Sequence, residues 1–239
     1  MRNVTWLISY PRSGNTWTRL LLGAVLSPKD VSYKKIDELV PDTHQRSPQF
    51  LRRFRETQKL LFLAFKSHFI YPWGAEPGDK FIYLYRDPRD VALSEYYFRL
   101  WENEAVGKRA YKDFTTFLKK DFIQEGRFGS WKSHVSFWTQ TTDKANLIIR
   151  YEDLHDHTED ILFSMLGVMG YSPTEEEVKR AVELTSFARC VKMAESEAVH
   201  KFKRGLKGRP GRWKEEMNEE QLEIIKSFCG DLMKFLGYL

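Results

Sequence analysis

Apolar positions follow two rhythms along this chain. Four short unbroken runs rich in β-formers, residues 3–9 (NVTWLIS), 60–66 (LLFLAFK), 80–86 (KFIYLYR) and 145–151 (ANLIIRY), read as strands buried on both faces, as in a parallel sheet. Elsewhere apolar residues recur at helical spacing, over 16–26, 48–58, 88–101, 113–123, 130–140, 158–169, 174–184 and 218–236. Asp87 before Pro88 marks one helix start, and Ser172-Pro173 ahead of TEEE marks another, with acids against the positive end of the helix. Strands alternating with helices imply right-handed βαβ crossovers and a three-layer α/β fold around a mostly parallel sheet. There is no repeat or low-complexity linker, so one domain over 1–239 is expected.

In such a sheet, ligands bind beyond the carboxyl ends of the strands. The first strand leads into Arg12, Ser13, Gly14, Asn15, Thr16 and Trp17, and the second into Lys66, Ser67 and His68. The third ends at Arg86 and the fourth at Tyr151, ahead of Glu152 and Asp153. Three cations, one histidine and several hydroxyls on one edge describe an anion site with a candidate base.

Composition narrows this only in part. The 239 residues are 42% hydrophobic and 30% charged, with 17 Phe, 11 Tyr and 7 Trp, enough for a sizeable globular core. A net charge of +5 favours anionic partners without choosing among nucleotides, nucleic acid and acidic lipid. The sole cysteines, Cys190 and Cys229, lack metal-ligand spacing and form no disulfide framework, so no metal site is expected. No apolar run reaches a membrane span or signal peptide, which makes a cytoplasmic protein the expectation. One compositional break stands out: residues 201–214, KFKRGLKGRPGRWK, hold seven basic residues, three glycines and no acid.

Each site element has a bland reading beside the functional one. Ser13, Asn15 and Thr16 could simply cap a helix; functionally, their loop would clamp a phosphate with Arg12 and set Trp17 against a base. Lys66 and His68, two apart on an extended segment, face the same side. One can neutralise phosphate while the other takes a proton, or they are a snorkelling lysine and a histidine satisfied by backbone. Arg86 with Ser94 on the next helix suits a phosphate, or Arg86 pairs with Asp87 or Asp90. Arg89 and Arg99 are expected in solvent.

Six motifs in order resemble the sulfotransferases that use 3′-phosphoadenosine-5′-phosphosulfate (PAPS). YPRSGNTW is similar to that family's phosphosulfate loop, FKSH to its Lys-x-His element, and YLYRDPRDVALSEYYF to its 3′-phosphate strand and helix. LIIRYEDL, LTSFARC and LKGRPGRWK resemble its later segments, so the likeness runs from residue 10 to 214. The resemblance implies a P-loop-NTPase-like fold and sulfuryl transfer to a hydroxyl or amine without metal, releasing adenosine 3′,5′-bisphosphate (3′,5′-ADP, PAP). It also implies roles by position. Arg12 to Trp17 would hold the phosphosulfate, and Arg86 and Ser94 the 3′-phosphate, helped by Arg204, Lys207 and Gly208. Tyr151, Thr185 and Phe187 would line the adenosine pocket. His68 would be the base, with Lys66 and Arg12 at the transferring group.

Three departures qualify the resemblance. Arg12 replaces the family's usual loop lysine, and a guanidinium stays protonated, so it can stabilise a leaving group but not protonate it. Leu206 stands where the family has an arginine. Asn218-Glu219 interrupts a short dimer motif between Lys214 and Glu223, so that dimer is not predicted. A P-loop kinase or NTPase would need a Gly-Lys-Ser/Thr loop end and an acidic metal ligand; neither is present. A nucleic-acid-binding module would use 201–214 as its arm, but no nucleic acid is expected. The acceptor, a small molecule or glycan, should lie among the segments 28–58, 69–78, 98–130 and 190–202. Tyr33, Phe69, Tyr71, Trp73, Phe98, Trp101 and Phe128 there would suit an apolar alcohol; Arg52, Arg53, Arg55, Lys108 and Arg109 would suit an acidic glycan.

Overall fold

A computed structural model describes residues 3–29, 31–105, 111–197 and 208–239. Four parallel strands, β1 (Thr5–Ser9), β2 (Ala64–Ser67), β3 (Lys80–Tyr85) and β4 (Leu147–Arg150), form a sheet in the order β2-β1-β3-β4. Thr5 stands opposite both Ala64 and Lys80, and Ile82 opposite Leu147. Alternation along each strand divides the core in two. Trp6, Ile8, Phe65 and Tyr83 face a layer containing Trp131, Trp138 and the Glu219–Phe235 helix. Leu7, Ala64, Ile82 and Leu84 face the Asn15–Leu26, Thr158–Val168 and Glu175–Leu184 helices. The expected three-layer architecture with a central parallel sheet is therefore present.

Boundaries moved where a partner was missing. The second apolar run pairs from Ala64 to Ser67 instead of 60–66, because β1 begins only at Thr5; Leu61 is exposed. β4 stops at Arg150, and Tyr151 opens a helix, Tyr151–Asp156, instead of ending the strand. The helices expected over 113–123 and 130–140 begin as Phe114–Phe117 and Trp131–Ser136. Each continues in a wider π turn that seats Phe122 or Trp138 in the core. The helix after β3 runs on to Ala105, and Phe187–Ser196 is a helix the apolar pattern did not mark. At the expected helix starts, the Asp87 carboxylate accepts from the Arg89 N–H, while the second start lies two residues past Ser172, where Thr174 and Glu177 form a capping box ahead of the Glu175–Leu184 helix.

Two arginines lie inside: Arg89, expected in solvent, and Arg55, expected among the cations facing an acidic acceptor. Arg89 is buried, paired with Asp87 at 2.7 Å and stacked 3.6 Å from the Trp213 ring centre. Arg55 is buried on Asp79, which also accepts from Trp6 Nε1 and the Val4 N–H, so it joins β1 to the Pro48–Thr57 helix. A charged side chain is tolerated there because its partner comes with it. Arg55 therefore leaves the set available to an acidic acceptor, while Lys108 and Arg109 lie outside the described residues. Asn218, in the interrupted motif, caps the last helix together with Gln221. Both cysteines are buried and unpaired. No helix among the described residues is long and apolar enough to cross a membrane.

Candidate active site

The turn after β1 is shaped by two left-handed residues, Arg12 (φ 67°) and Gly14 (φ 100°). Such a φ strains an arginine and suits glycine. Gly14 is also the only residue that fits, because a Cβ there would sit 2.4 Å from the Tyr151 ring. The Asn15–Leu26 helix starts directly after it, with no side-chain cap and no acid in its first turn. Its leading N–H groups are thus left for an external anion. Asn15 serves the turn itself, donating from Nδ2 to the Leu7 carbonyl at 3.2 Å and to Ser9 Oγ at 3.1 Å.

In front of this helix start lies a cavity of about 1030 Å³. Arg12, Gly14, Asn15, Thr16 and Trp17 enter it from the loop, Lys66 and His68 from the end of β2, and Arg86 and Ser94 from β3 and its helix. Tyr151, Phe187 and Gly208 close the far side. Ser13 and Thr185 lie behind the wall, fully buried. The Thr185 hydroxyl donates to the Ala181 carbonyl, and its own carbonyl accepts from Trp17 Nε1 at 2.9 Å. Arg204 and Lys207 lie outside the described residues.

The cations occupy distinct places. Arg12 Nε donates to Ser94 Oγ at 3.1 Å, and the guanidinium lies 4.7 Å from the Phe98 ring centre. Burial and the nearby Arg86 lower its pKa, and Glu95 opposes them. Arg86 rests 4.4 Å over the Tyr151 ring and reaches Asp90 at 3.4 Å, while its buried Nε has no partner. Asp90 is already engaged by the N–H groups of Gly211 and Trp213. Tyr151 donates to the Gly208 carbonyl at 2.6 Å, tying the end of the basic segment to the cavity. Two guanidinium groups, a lysine and an uncapped helix start form a donor set that fits a ligand with two separated phosphate groups.

At the other end, Lys66 donates to Asp42 Oδ2 at 2.7 Å. Burial brings its pKa down to about 8, against the pull of Asp42. Asp42 itself stays ionised, since hydrogen bonds from His44 and Lys66 outweigh its own desolvation. His68 Nδ1 lies 2.7 Å from the Ser9 carbonyl. A carbonyl only accepts, so Nδ1 carries the hydrogen and Nε2 keeps its lone pair. Burial, then the Lys66 charge, holds the His68 pKa well below 6.5. A neutral imidazole beside an ammonium can accept a proton from a bound hydroxyl.

The remaining wall is aromatic and charged. Tyr33, Phe98 and Phe128 line the cavity, as expected. Phe69 instead supports His44 from behind (5.2 Å, 12° between planes), and Tyr71 and Trp73 are exposed. Glu95 accepts from Arg99 at 2.8 Å and Glu102 lies 3.7 Å from it, so both carboxylates are held as ion pairs. Asp42 and His44 are the residues that sequence reasoning missed. Asp42 caps the single turn Thr43–Gln45 that holds His44, a stretch with no periodic pattern; Asp42 reaches Lys66 because it lies beside β2, and the His44 ring lies 5.5 Å from the His68 ring.

The family model described as "Sulfotransferase domain" matches residues 2–237. The chain is 28% identical over 192 residues to Sulfotransferase 1E1 of Cavia porcellus, covering 76% of this chain and 63% of that protein, under two thirds of its length. It is 26% identical over 265 residues to the flavonol 3-sulfotransferase of Flaveria bidentis, covering 98% and 83%. A retinol dehydratase solved with androsterone and the inactive cofactor PAP superposes with TM-score 0.69 at 18% identity, over 97% of this chain and 80% of that one. Mouse sulfotransferase SULT7A1, complexed with PAP, gives 0.66 at 21% identity, over 95% and 85%. These two structures share the P-loop-NTPase-like fold seen here. Because that family model spans nearly the whole chain, the chain belongs to the sulfotransferase domain family.

Proposed function

We propose that this chain is one sulfotransferase domain that moves a sulfuryl group from PAPS to a hydroxyl or amine of a small-molecule or glycan acceptor, leaving 3′,5′-ADP. The observation that carries the reading is that His68, Lys66 and the uncapped helix start line a single cavity. PAPS, when bound, supplies an activated sulfonate whose departure leaves negative charge on a phosphate oxygen. Arg12, Lys66 and the first N–H groups of the Asn15–Leu26 helix stabilise that charge. Loss of one such donor typically costs about 10²–10³ in rate. His68 Nε2 takes the acceptor proton, with Nδ1–H anchored on Ser9. Arg86 and Ser94, joined to Arg12 through the Ser94 hydroxyl, hold the 3′-phosphate. Trp17 and Tyr151, 6.2 Å apart and edge to face, flank the adenine, with Phe187 beside them. Arg204, Lys207 and Gly208 complete the nucleotide site, as the resemblance implies. Two free, buried cysteines suit a reducing compartment, and we place the reaction in the cytoplasm.

Ligand-dependent melting tests the reading. 3′,5′-ADP should raise the melting temperature, and ATP with Mg²⁺ should do much less. Stabilisation by ATP-Mg²⁺ alone would overturn the proposal in favour of a nucleotide kinase. His68→Ala should keep its 3′,5′-ADP shift and lose most transfer from labelled PAPS. Near-normal transfer would remove His68 as the base.

A further inference from the structure

One helix holds the main chain of both ends of the site from behind. Trp131 Nε1 donates to the Arg86 carbonyl at 3.1 Å, His134 Nε2 meets the His68 carbonyl at 3.1 Å, and Trp138 Nε1 donates to the Ile70 carbonyl at 2.7 Å. Spacings of three and four residues put all three donors on one face. His134 is the unusual member. It is fully buried, between Tyr10 edge-on and Tyr83 nearly parallel to it. An apolar side chain would fill such a place with no partners to satisfy, so a histidine there is informative.

Its hydrogen bonds fix a single arrangement. The His68 carbonyl can only accept, so His134 Nε2 carries the hydrogen. Burial keeps this ring neutral, with its pKa down to about 4. Nδ1 is therefore an acceptor, and the Tyr83 hydroxyl donates to it at 2.8 Å. The chain of bonds runs from Tyr83 to His134 to the His68 main chain, and from the His68 ring to Ser9. Both imidazoles end on carbonyls, so the chain sets positions and passes no proton.

We propose that His134, its ring locked by Tyr83, is a positioning residue that holds the His68 main chain so that the His68 ring keeps Nδ1–H on Ser9 and Nε2 free as the base. Its catalytic meaning rests on the sulfuryl-transfer reading; its geometry does not.

Imidazole ¹⁵N NMR of the ligand-free protein reads the geometry directly, with His68 assigned by the signal lost in His68→Gln. The wild type should show one Nδ1–H tautomer for His68. His134→Leu should turn that signal into a mixture of tautomers. His134→Gln, whose amide can both donate to His68 and accept from Tyr83, should restore it. An unchanged His68 signal in the leucine variant, or a glutamine variant no better than leucine, overturns the proposal. Should the leucine variant not fold, Tyr83→Phe removes a single oxygen and should disturb the same signal; no disturbance there overturns it equally. Affinity for 3′,5′-ADP should stay within about twofold in the folded variants, about 0.4 kcal/mol. A wild type that fails to bind 3′,5′-ADP counts against sulfuryl transfer and leaves the tautomer result standing.

Discussion

Gly14 and Tyr151 come so close that a Cβ on the glycine would lie 2.4 Å from the tyrosine ring. This contact joins the first loop of the chain to the residue after β4, both of which line the cavity. Gly14→Ala adds that clash to a φ of 100°. It should lower stability by more than about 1 kcal/mol and weaken 3′,5′-ADP binding. Urea unfolding and calorimetric titration check the two effects. Wild-type values in both would show that the loop can move away from Tyr151.

Arg86 should carry the recognition of the 3′-phosphate. Arg86→Ala should reduce the preference for 3′,5′-ADP over 5′-AMP by about 10–100-fold, the range of a lost charge-assisted hydrogen bond. Equal weakening of both nucleotides would assign Arg86 to the adenosine instead.

Arg12→Lys restores charge to the loop in the form usual for the family. It removes the Nε–Ser94 bond and the flat contact on Phe98. Affinity for 3′,5′-ADP should fall by about tenfold or more, as for loss of one hydrogen bond of a charged group. An unchanged affinity would mean that Ser94 does not depend on Arg12.

The pH profile follows from two lowered pKa values. His68 titrates well below 6.5 and Lys66 at about 8. The His68 imidazole is therefore neutral and able to accept a proton at neutral pH, and transfer should stay level until Lys66 loses its proton, then fall above about pH 8. Lys66→Arg should remove the alkaline fall, and Asp42→Asn should move it to lower pH. Rates with labelled PAPS and a naphthol as probe acceptor read both. Stability runs the other way. In the unfolded chain Lys66 regains its ordinary value of 10.5 and binds more protons between about 8 and 10.5, so its contribution to stability rises over that window. An alkaline limb that survives in Lys66→Arg would assign it to another group.

Much of the site was legible in the sequence because it sits at strand ends. β1, β2 and β3 are short apolar runs, and the residues just past a parallel strand must emerge at the ligand edge. That rule set Arg12, Lys66, His68 and Arg86 on one edge, and all four line the one cavity. Arg89 was misplaced because nothing in its neighbourhood announces Trp213, which lies more than a hundred positions later and stacks on it. Asp42 and His44 escaped for a similar reason, since a single turn has no periodicity and its contact with Lys66 is non-local.

The sequence by itself determined the strands, the main helices, their caps and the glycine in the first loop, because these depend on residues within a few positions of one another. Only the tertiary structure decided which charges are buried as pairs, which tautomers His68 and His134 adopt, and that Ser94 and Arg12 share a hydrogen bond. Those features are set by carbonyls, carboxylates and rings that arrive from distant segments, and a hydrogen bond's direction depends on the partner it meets after folding.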